Sequence, residues 1–181
     1  MYTINSFYNV DIFKDKTLDI ILDDLTKAVS RPYIISYVKD LIEKKTPFTM
    51  LMLDVDNFKQ INDCYGHLMG DEVLSIVGGR LIEYIGDSGF VGRYGGDEFM
   101  AVIYHTSQTE VEEILKCLCL EKDRLNNRED KMLIDYAYGW ALSANDGKYT
   151  IQTLLDKADS YMYENKKLCK RYRLMSEVEF F

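Results

Sequence analysis

Apolar residues along the chain fall into runs and stripes with two different periods. Phe48 to Leu53 is a nearly unbroken apolar run that stops at Asp54. Its length predicts a strand buried on both faces. Phe90–Arg93 and Phe99–Tyr104 read as two short strands, with Tyr94-Gly95-Gly96-Asp97-Glu98 between them as a hairpin turn. Glycine pairs suit such turns because both residues tolerate positive φ. Leu133–Leu142 reads as a further strand.

Helical spacing fills the intervals. Ser30-Arg31-Pro32 has the layout of a helix start, with Pro32 in the first turn. This helix should run to about Lys45, with Tyr33, Tyr37, Val38 and Leu41 on one face, until Thr46-Pro47 breaks it. Residues 57–65 form a short helix or turn. Gly70-Asp71 should open a helix whose inner stripe is Val73, Leu74, Val77 and Leu81. Gly86–Gly89 reads as a loop, and residues 108–125 as a helix. Asn145-Asp146-Gly147 is a turn. Thr150 then caps a last helix facing inward through Ile151, Leu154, Leu155, Ala158 and Met162.

The order α, β, α, α, β, β, α, β, α predicts an α+β fold with a mainly antiparallel central sheet covered by helices. It has the split β-α-β character of a ferredoxin-like core. Residues 1–20 show no strong period and read as a lead-in or the stub of a helix. Residues 21–175 form the domain, and 176–181 a tail.

Composition narrows the functional classes. The 181 residues suit one domain. The formal net charge of −8 argues against general nucleic-acid binding, while leaving room for a small anionic ligand held by a local basic patch and a metal. No apolar run reaches the roughly 18 residues needed to span a bilayer. A cytoplasmic protein with no membrane partner is expected. Cys64, Cys117, Cys119 and Cys169 lack the paired spacing of a zinc site and read as reduced structural thiols.

The chemistry gathers at strand ends. Asp54 and Asp56 alternate, so their carboxylates can share a face. Asp97-Glu98 in the hairpin is a second acidic group. If the hairpin lies beside the first strand, Asp54 and Asp97 meet at one edge. A hard cation such as Mg²⁺ takes one or two carboxylates plus phosphate oxygens. Two such ions could activate an attacking hydroxyl and stabilise a leaving pyrophosphate. Gly95 and Gly96 let a ligand approach the backbone closely. Each signal has a plainer reading: acidic strand ends as solvated turns, Asp71 as a carboxylate at a helix N-terminus, and the basic residues Lys166 to Arg173 as a solvated helix end.

The combination is more specific. Asp54-Val55-Asp56-Asn57-Phe58-Lys59-Gln60-Ile61-Asn62-Asp63, Gly66-His67, Gly70-Asp71 and Arg93-Tyr94-Gly95-Gly96-Asp97-Glu98-Phe99 together resemble the GGDEF family of diguanylate cyclases. Asp23-Asp24-Leu25-Thr26 with Arg31 is similar to the family's opening D-x-L-T…R motif. Ala158-Asp159, Tyr163 and Lys166 match its closing A-D…Y…K motif. The resemblance covers about residues 20–172.

It implies the palm-like fold of nucleotidyl cyclases and the joining of two GTP molecules into cyclic di-GMP, with two pyrophosphates released. Each domain holds one GTP, so two domains must face each other as a homodimer. It further implies Mg²⁺ or Mn²⁺, two per active site, on Asp54, the Val55 carbonyl, Asp97 and Glu98. Glu98 would assist deprotonation of the hydroxyl or share the metal. Lys59 would stabilise phosphate charge, and Asn62 and Asp71 would read the guanine edge, with Phe58, Gly95 and Gly96 also at the substrate. Lys166 and Lys170 would bind phosphates. Lys170 stands where the family has an Arg, keeping the charge without the fork.

Two departures follow. The opening often reads L-T-G-L-P-N-R, where this chain has Leu25-Thr26-Lys27-Ala28-Val29-Ser30-Arg31. The family's product-inhibition motif, R-x-x-D, falls on Gly86-Asp87-Ser88-Gly89, where neither the Arg nor the Asp is in place. Strong feedback inhibition through this site is therefore not expected. The alternative to an active cyclase is a non-catalytic GTP-binding or dimerisation module of a larger signalling protein. The retained glycines and acids favour the enzyme. A palm enzyme making another cyclic dinucleotide is disfavoured by Asp71, and a polymerase by the acidic charge.

Overall fold

A computed structural model describes residues 22–104, 107–126, 134–143 and 149–178, with side chains described to Leu118 and Lys167 in the last two helices. Five strands form one sheet: β1 (Val29–Ser30), β2 (Thr49–Val55), β3 (Gly89–Arg93), β4 (Glu98–Ile103) and β5 (Tyr136–Leu142). The helices are α1 (Arg31–Glu43), α2 (Phe58–Tyr65), α3 (His67–Ile85), α4 (Gln108–Asn126) and α5 (Ile151–Val178). The strand order is β1-β3-β4-β2-β5. β1 runs parallel to β3, and every other pairing is antiparallel. Without β1, this is the order of a ferredoxin-like βαββαβ sheet. The α+β architecture matches the sequence expectation.

The core lies in two layers, one on each face of the sheet. Pleating sends alternate residues of β2 to opposite faces. Leu51, Leu53 and Val55 pack with Phe99, Ala101 and Ile103 of β4 against Val73, Val77 and Leu81 of α3 and Val111 and Leu115 of α4. Met50 and Met52 pack with Met100 and Val102 against Ile34, Val38 and Leu41 of α1 and Leu154 and Ala158 of α5. Because β2 is central and covered on both faces, its sequence reads as a continuous apolar run.

Several expected boundaries move. β2 continues through Asp54 to Val55, because Asp54 pairs with both Glu98 and Ala137. β4 starts at Glu98, so one acid expected in the turn belongs to the strand. α1 stops at Glu43, where Lys45 adopts a φ of 54° and the Thr46 N–H bonds back to the Leu41 carbonyl. α3 begins at His67 rather than Gly70, directly after Gly66 with φ 84°. Gly86–Ser88 is one 3-10 turn, and Gly89 already pairs in β3. β5 begins at Tyr136. Leu133 and the expected turn at 145–147 lie outside the described residues, as do 1–20 and residues 179–181 of the tail, while 176–178 continue α5. β1 was not expected, since two residues carry no periodic signal. Thr150 does cap the last helix, its Oγ1 accepting the Thr153 N–H at 3.1 Å.

Candidate functional site

The hairpin between β3 and β4 lies beside β2, so the two acidic segments meet. Asp54 stands directly opposite Glu98 in the β2–β4 register. Directly opposed residues of antiparallel strands share a face. Here it is the face of Met52 and Met100, which α1 and α5 cover. One residue on, the Val55 N–H donates to the Asp97 carbonyl at 3.1 Å. Asp97 thus joins the strand ends through its backbone.

The expected common face of Asp54 and Asp56 is present. The Lys166 ammonium on α5 lies 2.7 Å from Asp54 Oδ1 and 3.9 Å from Asp56 Oδ1. Burial raises the Glu98 carboxyl above its ordinary range, and Asp54, Asp97 and Asp159 push it further, while Arg31 opposes them. The Asp159 carboxyl is itself raised, by burial and then by Asp156. This end of the sheet is therefore crowded with negative charge.

Among the described residues, no three His, Cys, Asp or Glu side chains converge closely enough to hold a metal by themselves. The donors are nevertheless hard oxygens: paired carboxylates and adjoining main-chain carbonyls. Such a set fits Mg²⁺, which keeps waters and takes substrate phosphates to complete its shell. Burial first, and the neighbouring carboxylates second, raise the Glu98 carboxyl at this site.

The glycine hairpin works differently from its sequence expectation. Neither Gly95 nor Gly96 adopts the left-handed conformation. The Tyr94 and Gly95 N–H groups both donate to the Glu98 carbonyl, at 2.8 and 3.1 Å. A Cβ at Gly95 would collide with the Glu98 carboxylate, whereas one at Gly96 would meet nothing within 4 Å. Gly95 thus makes room for the acid, and Gly96 leaves open space.

Two arginines that the sequence analysis gave no role hold this hairpin. Arg93 donates from Nη2 to the Gly96 carbonyl at 2.8 Å and from Nη1 to Asp23 Oδ2 at 3.2 Å. Asp23 in turn accepts from the Thr26 N–H and hydroxyl, at 2.9 and 2.7 Å. Burial works to raise the Asp23 carboxyl, but the Thr26 and Arg93 contacts outweigh it and leave it below its ordinary value. Arg31 lies over the Tyr94 ring, 4.5 Å from its centroid. The signal was in the motif itself, since Arg93 stands two residues before the glycines and Asp23 opens the D-x-L-T segment.

A second subsite lies at the α2–α3 corner. Gly70 permits a close approach: a Cβ there would strike Asn62 Oδ1 and come within 3.2 Å of Phe58. Asn62 Oδ1 is buried and has no hydrogen-bond partner. A buried acceptor without a donor is costly unless a ligand supplies one. Asp71, the residue after Gly70, is exposed. Because α3 starts at His67, Asp71 lies beyond its first turn, so a macrodipole role does not account for it. Lys59 is exposed in the first turn of α2. The Lys170 side chain lies outside the described residues.

Comparison with known proteins shows the family and the fold. The family model described as "Diguanylate cyclase, GGDEF domain" matches residues 20–171. The chain is 33% identical over 154 residues to diguanylate cyclase DosC of Escherichia coli K12, covering 81% of this chain and 33% of that protein. It is 42% identical over 147 residues to "Probable diguanylate cyclase DgcI" of the same organism, covering 81% and 31%. It thus spans about a third of the length of these relatives. The coiled coil and GGDEF domain of DgcB from Caulobacter crescentus, solved in complex with c-di-GMP, superposes with a TM-score of 0.72 at 24% identity, covering 83% of this chain and 82% of that one. At that identity the likeness establishes the fold.

Proposed function

The chain belongs to the GGDEF diguanylate cyclase family, and on that premise we propose that it condenses two GTP molecules into cyclic di-GMP at the end of β2 and β4. The 3′-oxygen of each GTP bonds to the α-phosphorus of the other, and two pyrophosphates leave. The observation that carries this reading is the opposition of Asp54 and Glu98, with Asp97 beside them, at the open Gly96 turn.

Asp54, the Val55 carbonyl, Asp97 and Glu98 would hold two Mg²⁺ or Mn²⁺ ions. When bound, these ions offset phosphate charge and favour the ionised hydroxyl. Glu98, whose carboxyl is raised, is suited to take the proton from the 3′-oxygen. Lys59, Lys166 and Lys170 would face the phosphates. The guanine would enter the α2–α3 corner beside Phe58. There its N–H groups would satisfy Asn62 Oδ1, and Asp71 would accept from its edge. Adenine offers no such pair of donors, which favours GTP.

One domain holds one GTP, so the reaction requires a homodimer with the two sites face to face. A GTP-consuming reaction suits a cytoplasmic setting. Among the described residues, no helix is long and apolar enough to cross a membrane. The test is incubation with GTP and Mg²⁺, followed by chromatography of the nucleotides. Cyclic di-GMP should form with the natural sequence and disappear with Asp97→Ala. Equal product from both would overturn the assignment.

A further inference from the structure

The Lys166 ammonium does not point into empty space beside the acidic cluster. It lies 2.7 Å from Asp54 Oδ1 and reaches Asp56 Oδ1 at 3.9 Å. Both carboxylates are about four-fifths buried, at 21% and 19% exposure. Glu98 lies directly across from Asp54, and Asp97 and Asp159 add their charge. Partly buried carboxylates crowded in this way need a cation nearby.

We propose that Lys166 is the resident cation of this carboxylate group in the metal-free protein, and that a divalent ion must displace it from Asp54. This rests on the reading of Asp54 as a metal ligand. An ammonium in hydrogen-bond contact with Asp54 Oδ1 and a divalent ion at the same carboxylate would repel each other strongly at such separations. Lys166 has a flexible four-carbon stem and three rotatable donors, so it can leave without disturbing α5. A bound polyphosphate would offer it a new anionic partner.

The consequence is linkage. Metal alone must evict Lys166 into solvent and binds weakly. Metal together with a triphosphate binds well, because the same event that loads the ion re-pairs the lysine. By reciprocity, the metal strengthens the nucleotide's hold by the same factor. The empty site thereby keeps its charge balanced without retaining a metal.

Mn²⁺ is a suitable probe, because the free aquo ion is quantified directly by its paramagnetic resonance signal. The intact chain, Lys166→Met and Lys166→Gln are titrated at one ionic strength, without nucleotide and with a non-hydrolysable GTP analogue. Without nucleotide, both variants should bind Mn²⁺ about tenfold more tightly than the natural sequence. Adding Asp54→Asn to Lys166→Met should abolish that gain. With the analogue, the natural sequence should tighten and the gap should close. Equal or weaker Mn²⁺ binding by the variants overturns the displacement and leaves the metal site standing. No Mn²⁺ binding by any form, with or without the analogue, overturns the metal site itself and the displacement with it.

Should a variant fail to fold, the natural sequence provides its own readout. Acetylation of Lys166, followed by mass spectrometry, should accelerate as Mn²⁺ saturates the nucleotide-free protein. A rate unchanged across that saturation overturns the proposal.

Discussion

Glu98 faces Asp54 directly across the β2–β4 pair, and no residue separates the two carboxylates along the sheet. The folded protein holds the Glu98 carboxyl above its ordinary value of 4.5, through burial first and its acidic neighbours second. A carboxyl raised on folding binds its proton more tightly in the folded state. Its charged form therefore weakens folding as pH rises through the raised value, and the penalty is absent below the unfolded value. Glu98→Gln should raise the melting temperature at neutral pH, and this advantage should shrink to nothing as the pH falls through the carboxylate range. Melting curves of both forms at several pH values check this; an advantage that does not change with pH would contradict it.

Arg93 and Asp23 join the turn before β1 to the glycine hairpin, and both are largely shielded, at 20% and 24% exposure. Pairs of this kind couple by about 1 kcal/mol or somewhat less. A double-mutant cycle with Asp23→Asn and Arg93→Met, followed by urea unfolding, should return a coupling of that size. Additive effects would show that the pair does not tether the hairpin.

Lys27 takes a φ of 59° at the position where the family's opening motif often has Gly. A left-handed conformation costs a residue with a Cβ about 1–2 kcal/mol, and Gly gives back about 0.5–1 kcal/mol of that in chain entropy. Lys27→Gly should therefore stabilise the fold by about 0.5–1 kcal/mol, measured by the same unfolding method.

The stretch Gly86–Gly89 lacks the Arg and Asp of the product-inhibition motif, and its backbone excludes a simple repair. A Cβ at Gly89 would collide with the Val102 carbonyl of the neighbouring strand. Initial rates should be insensitive to added cyclic di-GMP at levels far below the substrate concentration; tight non-competitive inhibition would sink this expectation. Gly89→Asp should cost about 1–3 kcal/mol, as forced overpacking does.

What the sequence made legible follows from signal length. β2 was readable because Met50–Leu53, buried on both faces, form a continuous apolar run. The inner stripe of α3 was readable through Val73, Leu74, Val77 and Leu81. The start of that helix was not, because Gly70 looks like a helix opener but serves to let Asn62 and Phe58 approach. β1 was hidden because its pairing with β3 is imposed by the turn at Asp23–Ala28, not by its own two residues. The acids and glycines of the site stood out as motifs. The contact between Lys166 and Asp54 could not, since it spans 112 positions and depends on how α5 packs across the sheet.

The central claim is that two copies of this acidic, glycine-edged site act on each other's GTP. The most direct measurement is the rate of cyclic di-GMP formation per mole of protein, with GTP and Mg²⁺ held constant, as protein concentration is raised. The account predicts that this specific rate climbs with concentration and levels off once the dimer forms. Specific activity that is constant from high dilution upward, in a protein that sediments throughout as a monomer, would contradict it, as would the absence of product at every concentration.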